Sequence, residues 1–282
     1  MNRRILQRLM GRLSARIGLS SYRYAAIGDY GTPPTSHDVA QQSYKIEGTY
    51  PFTDAASTGL SLEVERDQLV NIPSASTSAN NTRRSYRAEW RWTYRLMAGL
   101  TATQRNTLSS NYTSYDFLNG ADRADLDFGT TTTLNAVLTP RLSIDLNHSS
   151  DDQPSGNWTR LADGLYYLQP SDRSRNFTLS TSIRYTPSPV LSFNFQPSYR
   201  AVERDGAANG VISPQRRQHT LNFNGTASLN LPVGRGGLLT GNLGRTYLAD
   251  RSAEFTSGVA VPSPLSLLDY WNASLTFSWK PS

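Results

Sequence analysis

Apolar and polar residues alternate strictly along Phe177–Arg200, FTLSTSIRYTPSPVLSFNFQPSYR. Phe177, Leu179, Thr181, Ile183 and Tyr185 fall on one side of the first arm, and Thr178, Ser180, Ser182 and Arg184 on the other. That period of two is what an extended strand imposes on its side chains. After the TPSP turn the alternation resumes, with Leu191, Phe193, Phe195 and Tyr199 against Ser192, Asn194, Gln196 and Arg200. The pattern predicts a hairpin in which Tyr185 meets Leu191, Ile183 meets Phe193, Thr181 meets Phe195 and Phe177 meets Tyr199, so the apolar sets share one face.

The same unit recurs along the chain. Short turns are predicted near Pro51–Ser57, Tyr94–Leu96, Thr139–Arg141, Thr186–Pro189 and Pro232–Gly236. Between them lie polar segments: Gly28–Gln41, Asp67–Thr82, Asn106–Arg123, Ser149–Arg175, Ala201–Arg216 and Ala249–Leu267. Short turns alternating with long polar connections are the plan of a transmembrane barrel, whereas a soluble β-barrel or sandwich binding protein, the alternative class, has no reason to gather its long connections at one end. The expected fold is all-β: an antiparallel up-and-down transmembrane β-barrel of about twelve strands over residues 14–282, from Ser14–Tyr24 to Tyr270–Trp279. Pro197 interrupts an otherwise regular strand, which predicts a bulge or the barrel rim. Arg245 falls in phase with the apolar residues and is expected to snorkel, or to mark a phase shift at Gly244.

Composition narrows the class. No apolar run approaches the roughly 18 residues a spanning helix needs, so a membrane protein of this composition must cross with strands. Cysteine is absent, which removes disulfides and thiolate chemistry together. The net charge of +6 is spread thinly and is almost wholly arginine, so nucleic acid is not an expected partner. Residues 1–13 form a basic segment in which Leu6, Leu9, Met10 and Leu13 recur at helical spacing among arginines, the pattern of a short amphipathic helix. It lacks the apolar core of a signal peptide, which predicts a C-terminal part of a longer protein or a start at an internal Met.

The last strand, YWNASLTFSWK at 270–280, puts Trp271, Ala273, Leu275, Phe277 and Trp279 on one face. In this it resembles the bacterial outer-membrane β-barrel proteins, which end in an amphipathic strand with terminal aromatics. The resemblance implies a place in the outer membrane, periplasmic short turns, extracellular long loops, contact with lipid and lipopolysaccharide, and delivery by the barrel-assembly machinery through that strand. Aromatics at strand ends, among them Tyr50, Phe52, Trp92, Tyr94, Tyr185 and Trp279 by the short turns and Phe177, Tyr199 and Trp271 toward the long loops, form two expected girdles.

Charge on the polar face concentrates near the N-terminal strands, in Lys45, Glu47, Glu63, Glu65, Arg87, Glu89 and Arg91. A symmetric turn at Pro51–Ser57 would set Lys45 opposite Glu65 and Glu47 opposite Glu63, with Arg87 or Arg91 bridging the paired carboxylates. These seven are the candidate constriction of a passive pore for ions or small solutes, or of the C-terminal barrel part of a larger outer-membrane transporter; the alternative is an ion-pair network bracing a closed structural barrel. Asp127, Asp145, Arg184 and Arg200 are expected as isolated, solvated lumen charges. No enzyme is expected: His148 and His219 sit in the lipid-facing phase without an aligned serine, and no G-x-S-x-G elbow occurs. Nothing in the sequence calls for a cofactor or metal, since Asp122, Asp125 and Asp127 lack the glycine and terminal glutamate of a calcium loop.

Overall fold

The computed structural model describes residues 9–22, 37–71, 80–116, 122–160, 166–208, 211–234, 237–256 and 258–279. Thirteen strands run through them: β1 (Met10–Tyr22), β2 (His37–Thr53), β3 (Ala56–Asn71), β4 (Asn81–Met97), β5 (Leu100–Tyr115), β6 (Arg123–Thr139), β7 (Leu142–Arg160), β8 (Tyr166–Ser188), β9 (Leu191–Ala208), β10 (Val211–Val233), β11 (Gly237–Thr256), β12 (Val259–Pro262) and β13 (Ser266–Trp279). From β1 to β11 each strand pairs antiparallel with its sequence neighbour. Both β12 and β13 pair with β11, the former along Ala253–Thr256 and the latter along Gly237–Asp250. They are one strand position interrupted at 263–265, so the sheet is twelve positions wide, as the sequence pattern predicts. Among the described residues β1 and β13 do not pair with each other, and the sheet is open along those two edges.

The register reveals how the strands lean. One row of directly opposed residues on the apolar face runs Leu100, Ala136, Ile144, Ile183, Phe195, Gly225, Arg245, from β5 to β11. It begins beside the turn at Ala98–Gly99 and ends about nine residues beyond the turn that follows Val233. A climb of about nine residues is roughly 30 Å along the strand, against roughly 29 Å for six inter-strand steps, so the strands tilt by about 45°. Closed barrels need a tilt of this size, and transmembrane strands of about ten residues cross a bilayer at it.

Burial is equally diagnostic. The only buried apolar residues described are Ala124 and Ala136, at 1% and 6% exposure, and no large side chain is fully buried. Leu19 at 80% and Leu13 at 75% head a long series of exposed large apolar residues. A soluble β protein of this length would gather such side chains between two sheets, because removing apolar surface from water is its main stabilising force. Here they form a single outward face that only lipid can cover, which excludes the soluble alternative.

Several expectations change. The Phe177–Arg200 hairpin keeps its faces but slips by two residues: Tyr185 pairs with Phe193, Ile183 with Phe195 and Leu179 with Tyr199. Its turn lies at Pro189–Val190, tighter and later than expected, and an even slip leaves every side chain on its face. The turn expected at Tyr94–Leu96 lies at Ala98–Gly99. Much of the polar segments Ser149–Arg175 and Ala201–Arg216 is strand, because a ladder satisfied by backbone hydrogen bonds continues into water without needing an apolar face. At Pro197 there is no bulge: the register is the same on both sides, and only the bridges opposite it, at Thr181 and Ser182, are missing. Met10–Leu13 belong to β1, so the expected amphipathic segment does not reach them as a helix; residues 1–8 lie outside the described residues.

Gly99 shows how tightly one of these turns is drawn. Its φ is +81°, and a Cβ there would lie 2.6 Å from the Val137 carbonyl oxygen, whereas at Gly234 (φ +63°) nothing lies within 4 Å. Gly99→Ala is expected to cost more than the roughly 1–2 kcal/mol of the left-handed conformation alone, and Gly234→Ala no more than that. Denaturant midpoints of detergent-refolded variants check the difference; equal losses would show that the Val137 contact yields freely.

Candidate functional site

The polar face of β1 to β5 carries the predicted cluster, and the register arranges its charges differently from the symmetric turn assumed above. Because the turn is the two residues Asp54–Ala55, Lys45 lies opposite Glu63 rather than Glu65, Glu47 opposite Ser61 rather than Glu63, and Glu65 opposite Ser43. Glu63 in turn faces Arg87 on β4, giving the row Lys45, Glu63, Arg87 with alternating sign. The expected like-charge pair of Glu47 and Glu63 does not form. A two-residue slip thus replaces repulsion with attraction at no change of face.

Four of the seven predicted residues enter ion pairs. Lys45 Nζ lies 2.8 Å from Glu47 Oε1, and Arg87 lies 4.0 Å from Glu89. Glu89 also accepts a hydrogen bond from Arg105 at 2.5 Å, a residue on β5 that the sequence reading did not include. Arg105 was legible by phase, since it alternates with Thr101 and Thr103 on the polar face. Arg12 is a second omission, assigned to the N-terminal segment but opposite Glu47 in β1. Glu63, Glu65 and Arg91 lie on the same wall without an ion pair among the described residues, and Arg91 stands directly opposite Arg105. A cleft of about 420 Å³ opens there, lined in part by Arg12, Glu47, Ser61, Glu89 and Arg91.

The opposite face is organised by height. Beside the short turns Tyr50, Phe52, Trp92 and Tyr94 form a chain of ring contacts, with centroids 5.0, 5.9 and 6.4 Å apart in succession. Toward the other end His148, Phe177, Tyr199 and His219 form another, at 5.1, 6.1 and 6.2 Å, and the Tyr199 hydroxyl lies 2.8 Å from His219 Nδ1. Both histidines therefore work within an aromatic row. Arg245 keeps its phase without a bulge, pairs with Asp269 at 2.9 Å and lies 5.3 Å from the Trp271 ring centroid. A cation near the loop-side interface is held by a carboxylate and a ring at once.

Immediately beyond the upper aromatic row lies an ionic belt in the same phase. Arg173 holds Asp152, while Arg175 and Arg217 clamp Asp205 from both sides at 2.7 and 2.8 Å and reach Glu203 at 3.3 and 3.6 Å. These residues stand eleven or more positions from their short turns, past the roughly ten residues that cross a bilayer. Hydrogen bonds from Arg173 hold the Asp152 carboxyl below the usual range against partial burial. Burial pushes the Asp205 carboxyl up, but hydrogen bonds from Arg175 and Arg217 outweigh it and leave it below the usual range.

No protein-family model and no curated protein sequence matches the chain. Among solved structures it is similar to the copper transporter OprC, with 6% identity over 88% of this chain and 47% of that one and a TM-score of 0.54. It also aligns with the outer-membrane transporter YddB from Escherichia coli (10% identity, 95% of this chain, 59% of that one, TM-score 0.35) and with an outer-membrane channel from Pseudomonas putida F1 (14% identity, 95% of both, TM-score 0.31). The chain spans about half the length of the copper transporter. With the two-faced, tilted sheet and its missing core, the likeness to the copper transporter shows the fold: the antiparallel, up-and-down wall of a transmembrane β-barrel of the kind found in outer-membrane proteins.

Proposed function

We propose that the polar inner wall lines an aqueous route across the outer membrane for ions or small polar solutes, with the charged patch of β1 to β5 as its constriction. The carrying observation is the convergence of Arg12, Lys45, Arg87, Arg91 and Arg105 with Glu47, Glu63, Glu65 and Glu89 on one face, where Glu63, Glu65 and Arg91 remain outside the ion pairs. A purely bracing network would pair its charges, whereas a selective wall keeps some for passing ions. The match to about half the length of a transporter supports a second reading, that the chain is the barrel part of a larger outer-membrane transporter. The outward Trp271, Leu275, Phe277 and Trp279 of β13 suit capture by the assembly machinery, and the ionic belt suits contact with lipopolysaccharide headgroups. No catalysis is proposed, since His148 and His219 serve the aromatic row.

The wild-type protein is expected to give stepwise conductance in planar bilayers. Arg91→Ala should shift its selectivity toward cations and Glu63→Ala toward anions, each read as a reversal potential in a salt gradient. A silent protein, or a conductance indifferent to both changes, would overturn the reading in favour of a closed structural barrel.

A further inference from the structure

Arg200 does not stand alone on the inner wall, as its sequence context suggests. On the inner face of the β9–β10 hairpin Arg204 lies directly opposite Arg216, and Arg200 lies opposite Thr220 two rows nearer the membrane. All three arginines are exposed, and with Val202, Gln218 and Thr220 they line a cavity of about 130 Å³. Among the described residues none of the three has a carboxylate within ion-pair distance, although Glu254 stands opposite Arg216 on β11. Arg216 donates instead to the Gln218 side-chain oxygen at 3.1 Å. The nearby Asp250 carboxylate is already engaged by Gln218 and Thr220, at 3.2, 3.1 and 2.9 Å.

The contrast with the other face of the same strands is sharp. Arg173, Arg175 and Arg217, at similar height but pointing outward, all have acidic partners. Glu203 and Asp205 flank Arg204 in sequence, yet the alternation of the strand sends both to the outer face and leaves Arg204 facing Arg216. Like charges directly opposed across a ladder destabilise it, so a site of this kind is completed by an anion. Guanidinium groups suit an oxyanion because each presents parallel N–H donors in a plane.

We propose that Arg200, Arg204 and Arg216 form an anion-binding site at the loop-side mouth of the inner wall, selecting small phosphate-bearing solutes. The site lies ten or more residues beyond the turn at Pro189–Val190, so it meets solutes before they reach the constriction. Its exposed arginines bind weakly enough to release what they capture. The proposal rests on the polar face being the inner one, and its test is independent of conduction.

Inorganic phosphate is titrated into the full chain refolded in detergent micelles at low salt, with binding followed by calorimetry. Wild type is expected to bind with a Kd on the order of 1 mM, and R204Q/R216Q to weaken it about tenfold or more. R173Q, on the outer face, should leave it unchanged. Should the double variant fail to refold, R200Q, outside the opposed pair, should still weaken binding about threefold. Absence of phosphate binding to wild type, or equal binding by the inner-face variants, overturns the site. Equal losses in R173Q would assign the anion to the outer belt and overturn it as well. Phosphate binding by a protein that shows no conductance would sink the pore and leave the site standing.

Discussion

Phe195→Arg is expected to destabilise the protein folded in lipid vesicles by about 2–4 kcal/mol, while Asn194→Arg, one residue away, costs under about 1 kcal/mol. Phe195 stands five residues beyond the Pro189–Val190 turn, about 17 Å along the strand, which a tilt near 45° converts to about 12 Å of height. That is the middle of an apolar band about 25 Å tall, where an arginine reaches neither interface. The side chain is 45% exposed on the outward face and meets Phe223 edge-on at 4.7 Å, so the change also removes a ring contact. Phe195→Leu separates that loss from the cost of the charge. Asn194 faces the wet interior, opposite Arg184 and Thr226, where a cation keeps its water. Reversible denaturant unfolding in vesicles measures both changes. Equal destabilisation by the two arginines would mean that the apolar face does not meet lipid.

The second large effect is expected at the outer belt, where Asp205→Asn removes the carboxylate that Arg175 and Arg217 share. Asp205 is 6% exposed, which alone would suggest the several kcal/mol of a broken buried pair. Its partners are 41% and 25% exposed, and solvent screens what they lose. The expected cost is therefore about 2 kcal/mol, with Glu203 taking up part of the load. The pH dependence follows from the depressed carboxyls of Asp152 and Asp205. A carboxyl whose folded-state pKa lies below its unfolded value contributes its stability in full above the unfolded value, near 4, and loses it as pH falls through the folded value. Acid lability below about pH 4 should thus be shallower in D205N than in wild type, since one titrating contribution is gone. Identical acid profiles would mean that the belt does not contribute to stability. The expected loss also distinguishes the belt from an ordinary row of surface charges, which would change stability by a few tenths of a kcal/mol.

What could be read before folding was the assignment of each residue to a face. Lys45, Glu47, Glu63, Glu65, Arg87, Glu89 and Arg91 were all legible as one polar wall, because their parity within a strand is a local property of extended backbone. Arg105 obeys the same rule at the end of its expected strand, but its pairing with Glu89 is not written in the sequence. Partner identity was not legible. Whether Lys45 faces Glu63 or Glu65 turns on whether two residues or more form the bend at Asp54–Ala55, and every alternative that differs by two preserves the hydrophobic pattern.

The amphipathic alternation by itself thus determined the near-twelve-position width and the two faces, since each follows from a repeat only two residues long, but not how far the strands continue into the polar segments. Only the tertiary structure decided which charges meet. It brought Arg175 and Arg217 to Asp205 from strands on either side, left Arg200, Arg204 and Arg216 together without an acid, and leaned the strands by about 45°. The physical reason is that register and tilt come from how neighbouring ladders lock across the sheet, and that locking joins residues whose separation along the chain carries no periodic signal.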